Sequence, residues 1–378
     1  MKNLFFKYFL FFQIILSVSC SDKKANDLNS ENGNSIINAG GNSIQLDPLV
    51  FYSSGISIDQ LIKDLKKANI GAVHFMFVNT WDGTRNDSML KPELIKALKD
   101  NNISMWLMVL GNCFYSKPNF PISWEMGLLT PYSGVYFYTF HHPDFVAWQV
   151  NRVRNFINNY PDLVGIEFAE SYFPEWKTLQ NNGFYGDVSP FALNKFSKDY
   201  LNESNVYSFN DIRNNPTLYN KWVTFRADAV TNFNMEIKKA IKAANPKVLF
   251  ASWGMGIRNG SLKELKEHFG LDMEKIVSDV KPDVFFIQTS SQDWSDESLD
   301  PSYYKSYDYV FNALKKANST IKIGIQADIA SHSYHNPSAR KRNGVWWKNF
   351  MDAVTNHGYY TNTSYEYTFY KKQGLWIE

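Results

Sequence analysis

The sequence predicts one α/β domain built as an eight-stranded parallel barrel, (β/α)8, and three observations predict it. Eight apolar, strand-like runs alternate with segments whose apolar residues recur at helical spacing. The connections feeding into runs are short (Asn102, Pro161-Asp162, Lys281-Pro282), whereas those leaving runs three to seven are long or aromatic. Barrels build their sites from loops on the C-terminal side of the strands, so this asymmetry fits. Finally, 378 residues with 44% hydrophobic content suffice for one large core.

Taken in order, the first strand is expected at 49–53, followed by a helix at 58–67. The second strand falls at 71–78, with a helix at 92–100 after it. Residues 103–110 are almost continuously apolar, as befits a strand buried on both faces. A long aromatic loop, 112–140, leads to a helix at 143–158 and a fourth strand at 163–170. A second excursion ends at Lys221, before a helix at 222–244 and a fifth strand at 248–253. A helix ending over 273–279 precedes the sixth strand, 284–289. The rest is a helix at 304–317, a strand at 321–328, a helix at 345–356 and a strand at 359–366. The competing architecture is an open doubly wound sheet. It would want a glycine-rich turn after its first strand, and Tyr52-Ser53-Ser54-Gly55 is no phosphate-binding fingerprint.

The amino terminus reads as processing signal. Lys2 and Lys7 flank an apolar run from Leu4 to Leu16, broken by Gln13, and Ser17, Val18 and Ser19 lead into Cys20. The run is too short for an ordinary membrane span. A Cys directly after small residues resembles the bacterial lipobox, with Ser17 standing where Leu is usual. The plainer alternative is a secretory signal with an incidental Cys. The expected organisation is therefore a lipoprotein signal peptide at 1–19, a polar tether at 20–45 and the barrel domain at 46–378. The tether is Asn, Ser, Gly, Asp and Lys, too polar to offset its chain entropy. Lipid at Cys20 would place the chain on a membrane of the cell envelope, as an outer-membrane lipoprotein on the periplasmic or surface side. Cys113 is then left without a disulfide partner and is expected to be a buried thiol.

Net charge is +2 and no basic stretch is long, so no nucleic-acid partner is expected. The domain is expected to be a monomer without a cofactor. His141 and His142 are adjacent, and His332 and His335 share one loop. No His pair has helical spacing around a Glu, so a zinc site is not expected.

The strand ends carry the chemistry. The fourth strand reads Val164-Gly165-Ile166-Glu167-Phe168-Ala169-Glu170, and carboxylates in so apolar a run are costly unless hydrogen-bonded or functional. Glycoside hydrolysis needs two carboxyls, one protonated and one ionised. Glu170 sits where a rim acid belongs. Glu167 lies three residues deeper and is either a buried orienting residue or the inward carboxylate. A salt bridge to Arg226 or Arg258 is the structural alternative for both. A partner acid is sought at another strand end: Glu366 first, then Asp328, then Asp293. Each of these has an alternative role as a loop acid or helix cap. Asn112, Gln288, Gln292 and Gln326 can donate and accept towards sugar hydroxyls. Trp81, Tyr115, Tyr172, Trp176, Trp253 and Trp294 fall just past strand ends and suit stacking on sugar faces, with His332 or His335 as further contacts. Trp346 and Trp347 are read as packing.

Residues 142–200 carry a more specific pattern: His142-Pro143-Asp144-Phe145, then Tyr160-Pro161-Asp162-Leu163-Val164-Gly165-Ile166 into Glu167-Phe168-Ala169-Glu170. Tyr172-Phe173-Pro174-Glu175-Trp176 and Tyr185-Gly186-Asp187-Val188-Ser189-Pro190 follow, with Trp222 and Phe225-Arg226 in the next helix. This resembles the glycosyl-hydrolase-like TIM barrels of family 10-type lipoproteins and, more distantly, α-amylase and β-galactosidase barrels. The resemblance implies a glycosidase acting on a polysaccharide or oligosaccharide. Ala169 departs from it, standing where relatives carry the first of two acids. That departure keeps open a non-catalytic, lipid-anchored glycan-binding protein. A surface scaffold whose aromatics are all core is a third possibility.

Overall fold

A computed structural model describes residues 40–77, 89–174, 184–290, 293–294, 296–329 and 342–377. Eight strands close into a parallel barrel: β1 (Gly41–Leu46), β2 (Ile70–Phe77), β3 (Ser104–Leu110), β4 (Gly165–Ala169), β5 (Leu249–Met255), β6 (Val284–Gln288), β7 (Lys322–Gln326) and β8 (Thr361–Thr363). Each pairs with its neighbour in sequence, and β8 closes on β1 through Gly41–Thr361 and Asn42–Asn362. The expected fold class holds, and strands two to eight fall where the sequence places them.

The first strand does not. Residues 49–52 belong to a short helix, Pro48–Tyr52, with Ser53 as its C-cap, and β1 lies upstream, all but Leu46 of it in the stretch assigned to the tether. The helix is locally encoded. Asp47 Oδ1 accepts from the backbone N–H groups of Leu49 (2.8 Å) and Val50 (3.3 Å), and Pro48 occupies the first helical position. The β1 sequence Gly-Asn-Ser-Ile-Gln-Leu buries apolar side chains on one face only. Ile44 and Leu46 pack under the helices, while the cavity-lining Gln45 lies on the other face. An alternating strand with polar inward positions presents no apolar run.

The alternation holds around the barrel. Val73, Phe75, Leu107, Val109, Ile166, Phe168, Phe250, Phe285 and Ile325 face the helical layer. Trp106, Met108, Ala251, Trp253 and Phe286 fill the interior. Two inward glycines make room for the rings. A Cβ at Gly165 would lie 2.4 Å from the Trp106 ring, and one at Gly324 would lie 2.4 Å from Phe286.

The two long loops near the mouth are built structures. Cys113–Phe114 pairs antiparallel with Tyr136–Phe137 within loop 112–140. Asp187, at the end of the other excursion, accepts from Gly127 N (2.9 Å) and Ser189 N (2.9 Å), pinning the two loops together. Trp222 and Phe225 lie on the helix Pro216–Ala244 and pack with Tyr185, Phe196 and Phe209 in a satellite core. Trp347 is buried and Trp346 packs against the core, as expected of both. Among the described residues, no helix is long and apolar enough to cross a membrane.

Candidate active site

Regular pleating would send residue 170 outward, with Ile166 and Phe168. The chain prevents this by leaving β4 at Ala169 and giving Glu170 a left-handed backbone, with φ +53°. That conformation is uncommon for a residue with a side chain. It turns the Glu170 carboxyl over the barrel mouth, where it lines a cavity with Gln45, Met76, Met108, Trp253, Gln288 and Gln326. Tyr115 and Leu110 complete the wall near Glu170.

Glu170 is 9% exposed. Gln288 Nε2 donates to Oε1 at 3.4 Å, and the Cys113 thiol lies 3.5 Å from Oε2. Burial pushes the Glu170 carboxyl up to about 7, against the smaller lowering effect of the Gln288 and Cys113 hydrogen bonds. Tyr115, Tyr132 and Tyr172 surround it. Burial, and then the charge of Glu170, raise all three phenols, so they remain neutral hydroxyls over the working pH range. Cys113 is a buried thiol, as expected, and burial followed by Glu170 raises it well above the ordinary range.

Glu167 is the inward carboxylate, fully buried beneath the cavity. Both of its oxygens are engaged: Oε1 with His74 Nδ1 at 2.6 Å, and Oε2 with Trp253 Nε1 at 3.0 Å. His74 stacks on Trp106 (centroids 5.6 Å apart) and meets Phe286 edge-on at 5.7 Å. The Trp253 indole lies flat on Phe286 at 4.6 Å. Glu167 therefore orients the indole that forms part of the cavity wall. His74 is absent from the sequence-based site, although a His inside the apolar run 70–77 carries the same signal that singles out Glu167. Gln45 is also absent from it, because β1 is not recognised as a strand.

The arginines are committed elsewhere. Arg226 donates to the carbonyls of Glu267 (2.6 Å) and His268 (3.0 Å), with its guanidinium over the rings of Phe173 and Tyr185. Arg258 pairs with Asp293, its Nε 2.8 Å from Oδ1, and Tyr307 donates its hydroxyl to Asp293 Oδ2. Neither arginine pairs with Glu167 or Glu170, and the geometry gives Asp293 the structural ion pair.

The remaining candidates separate into two groups. Trp253, Gln288, Gln326 and Tyr115 line the cavity. Tyr172 stands behind it, donating its hydroxyl to Gln288 Oε1 at 3.1 Å. Glu366, Asp328, Asn112 and Trp294 do not line it. Glu366 caps the helix Tyr367–Lys372, accepting from Phe369 N at 2.7 Å. Burial, and then the neighbouring Asp47, push its carboxyl up to about 8. Asp328 is buried, with the Tyr370 hydroxyl 3.5 Å from Oδ1 and its carbonyl taken by Arg342 at 2.8 Å. Asn112 donates to the Tyr138 carbonyl at 3.2 Å and holds the loop. Trp294 donates to Thr289 Oγ1 at 2.9 Å and packs in the outer core. Trp81, Trp176, Gln292, His332, His335 and Cys20 lie outside the described residues.

Two histidines are accounted for by packing. His141 stacks on Phe225 at 4.1 Å, and burial lowers it to about 3. His142 caps the helix Pro143–Asn159. Among the described residues, no three His, Cys, Asp or Glu side chains come together as a cation site.

The described cavity is small, about 20 Å³, which is room for one water. It offers one acid that titrates near neutrality, three amides and an indole face.

No protein-family model and no curated protein matches the chain. Solved structures share its fold. The catalytic domain of β-amylase from Paenibacillus polymyxa superposes with TM-score 0.58 at 11% identity, over 86% of this chain and 92% of that one. A cold-adapted β-galactosidase from Rahnella sp. R3 gives TM-score 0.58 at 14% identity, over 87% of this chain and 50% of that one. A β-galactosidase from the psychrophilic Marinomonas ef1 gives 0.54 at 12%, over 86% and 54%. The chain thus spans about half the length of the two β-galactosidases. All three neighbours are glycoside hydrolases, and what they share with this chain is the TIM-barrel fold.

Proposed function

We propose that this protein hydrolyses a glycosidic bond, with Glu170 as the proton donor to the leaving oxygen. One observation carries the reading: a buried carboxyl, re-aimed over the mouth by a left-handed residue, whose pKa of about 7 keeps it substantially protonated at neutral pH. An acid with that value gives up its proton readily as the C–O bond breaks. Positive charge then develops at the anomeric carbon. The Trp253 face and the amides of Gln45, Gln288 and Gln326 suit a sugar ring and its hydroxyls.

The proposal keeps Asp328 as the partner acid, at the end of β7 and two residues beyond cavity-lining Gln326. Asp293 is tied to Arg258. Glu366 caps a helix and is held towards its neutral form, which suits neither a nucleophile nor a base.

A second reading rests on one specific observation. Glu170 is the one carboxylate among the described residues lining the cavity, which favours a glycan-binding protein on a barrel that has lost catalysis. Incubation with a panel of polysaccharides and a reducing-end assay separates the two. Sugar release by the wild type and its loss in Glu170→Gln support hydrolysis. Binding to a glycan with no release would overturn it in favour of recognition alone.

A further inference from the structure

Glu170 is touched by a side-chain amide whose orientation matters, and that orientation is set from behind. Gln288 reaches Glu170 with Nε2, an end that can only donate. Its other end, Oε1, is occupied by the Tyr172 hydroxyl at 3.1 Å. Tyr172 is itself fixed: it is 4% exposed and packs edge-on against Phe269, with ring centroids 5.6 Å apart. The three groups form a chain in which the phenol donates to the amide oxygen and the amide nitrogen donates to the carboxylate. Each donation polarises the next, and the chain strengthens most when Glu170 carries its charge.

We propose that Tyr172 is a positioning residue that acts through Gln288, holding the amide in the orientation that donates to the Glu170 carboxylate. The proposal deepens the glycosidase reading by naming what would regulate its acid. Its geometry stands whether or not the protein turns over a glycan.

The amide has a second orientation with different consequences. Turned over, Oε1 would accept a hydrogen bond from neutral Glu170 and Nε2 would donate to the phenol oxygen. With the tyrosine in place both arrangements are satisfied, but the first has the charge-assisted bond and the polarised chain. Phenylalanine removes the partner that makes the first arrangement strong, and the neutral acid then gains relative to the ionised one. The other groups facing Glu170 are Cys113 and Tyr115 from loop 112–140, Tyr132 from the same loop, and Tyr172 itself. All are neutral at the relevant pH, and the Cys113 thiol donates to Glu170 Oε2 while the amide serves Oε1, so it adds to the donor chain and does not replace it.

The test reads the acid directly. The side-chain carboxyl of Glu170, carbon-13 labelled and identified by its disappearance in Glu170→Gln, is titrated by NMR in the wild type, Tyr172→Phe, Gln288→Leu and the double variant. Tyr172→Phe is expected to raise the midpoint by about half a pH unit or more, and Gln288→Leu to raise it further. The double variant should fall close to Gln288→Leu alone, because the hydrogen bonds by which Tyr172 acts on Glu170 run through the amide. Gln288→Met replaces Gln288→Leu if the latter does not fold. An unchanged midpoint in Tyr172→Phe, or a double variant equal to the sum of the singles, would overturn the proposal. Because the readout is a titration, it stands apart from the outcome of the glycan assay. If a substrate is found, the alkaline limb of its pH profile should move with the NMR midpoint.

Discussion

Replacing Glu170 with glutamine should stabilise the folded chain at pH 8 and leave it almost unaffected at pH 4. Burial raises the Glu170 carboxyl from 4.5 to about 7 in the folded state. An acid raised on folding binds its proton more tightly when folded. It therefore costs nothing below about pH 4.5, and it progressively destabilises the fold as pH rises through 7. Two and a half pH units correspond to about 3 kcal/mol. The group is only 9% exposed, so solvent screening removes little of this. For a folded domain of this size the unfolding entropy is about 0.7 kcal/mol per degree, so the gain at pH 8 is about 4 °C in Tm. The assay is a pair of thermal melts, wild type and Glu170→Gln, at pH 4 and pH 8. Reading the difference between the two differences cancels any amide contact the glutamine makes at both pH values. It also cancels Glu366 and Asp47, which are raised by burial as well but are common to both proteins. Equal melting temperatures at pH 8, or an offset of the same size at both pH values, would refute the claim that Glu170 is a strained, buried acid.

Two further expectations follow from the network beneath the cavity and from the other acids. His74→Leu strips Glu167 Oε1 of its partner while leaving the buried carboxylate, and should cost about 3–5 kcal/mol in urea denaturation followed by tryptophan fluorescence. Adding Glu167→Met removes the stranded charge and should recover at least half of that loss; a double variant no more stable than the single would contradict the pairing. On a confirmed substrate, Asp293→Asn and Glu366→Gln should leave kcat within about threefold while lowering or shifting Tm, and Asp328→Asn should lower kcat by about a thousandfold or more. A loss in Asp293→Asn or Glu366→Gln as deep as in Glu170→Gln would reassign the partner acid.

The sequence made most of the barrel legible because parallel strands buried on both faces are written as apolar runs, and β2 to β7 are largely such runs, whereas β8, Thr361–Thr363, is polar and is found by its place in the alternation. It hid β1, whose inward residues are polar, and offered instead the helix Pro48–Tyr52, whose five residues are also mostly apolar. At the site, burial was the readable property. Glu167 and Glu170 stood out as charges in an apolar strand, and both are buried at the cavity or beneath it. What alternation alone misplaces is Glu170 itself. A regular strand sends it outward, and only the positive φ brings it back over the mouth. Aromatics after strand ends were a weaker guide. Trp253 and Tyr115 line the cavity, whereas Trp294 packs in the outer core, because a large ring is as useful to packing as to a cleft. The acids of other strands were the least legible. Asp293 and Glu366 satisfy an ion pair and a helix cap whose partners, Arg258 and the Phe369 N–H, come into view only once the loops are folded.

Proton donation by Glu170 to a leaving glycosidic oxygen is put to the test by comparing two substrates of the same sugar in wild type and Glu170→Gln. One is the natural glycan, whose alkoxide leaving group needs the proton. The other is a dinitrophenyl glycoside, whose leaving group does not. In Glu170→Gln, kcat/KM on the glycan should fall by about 10²–10⁴ and that on the aryl glycoside by no more than about tenfold. Undiminished turnover of the natural glycan in Glu170→Gln would contradict it.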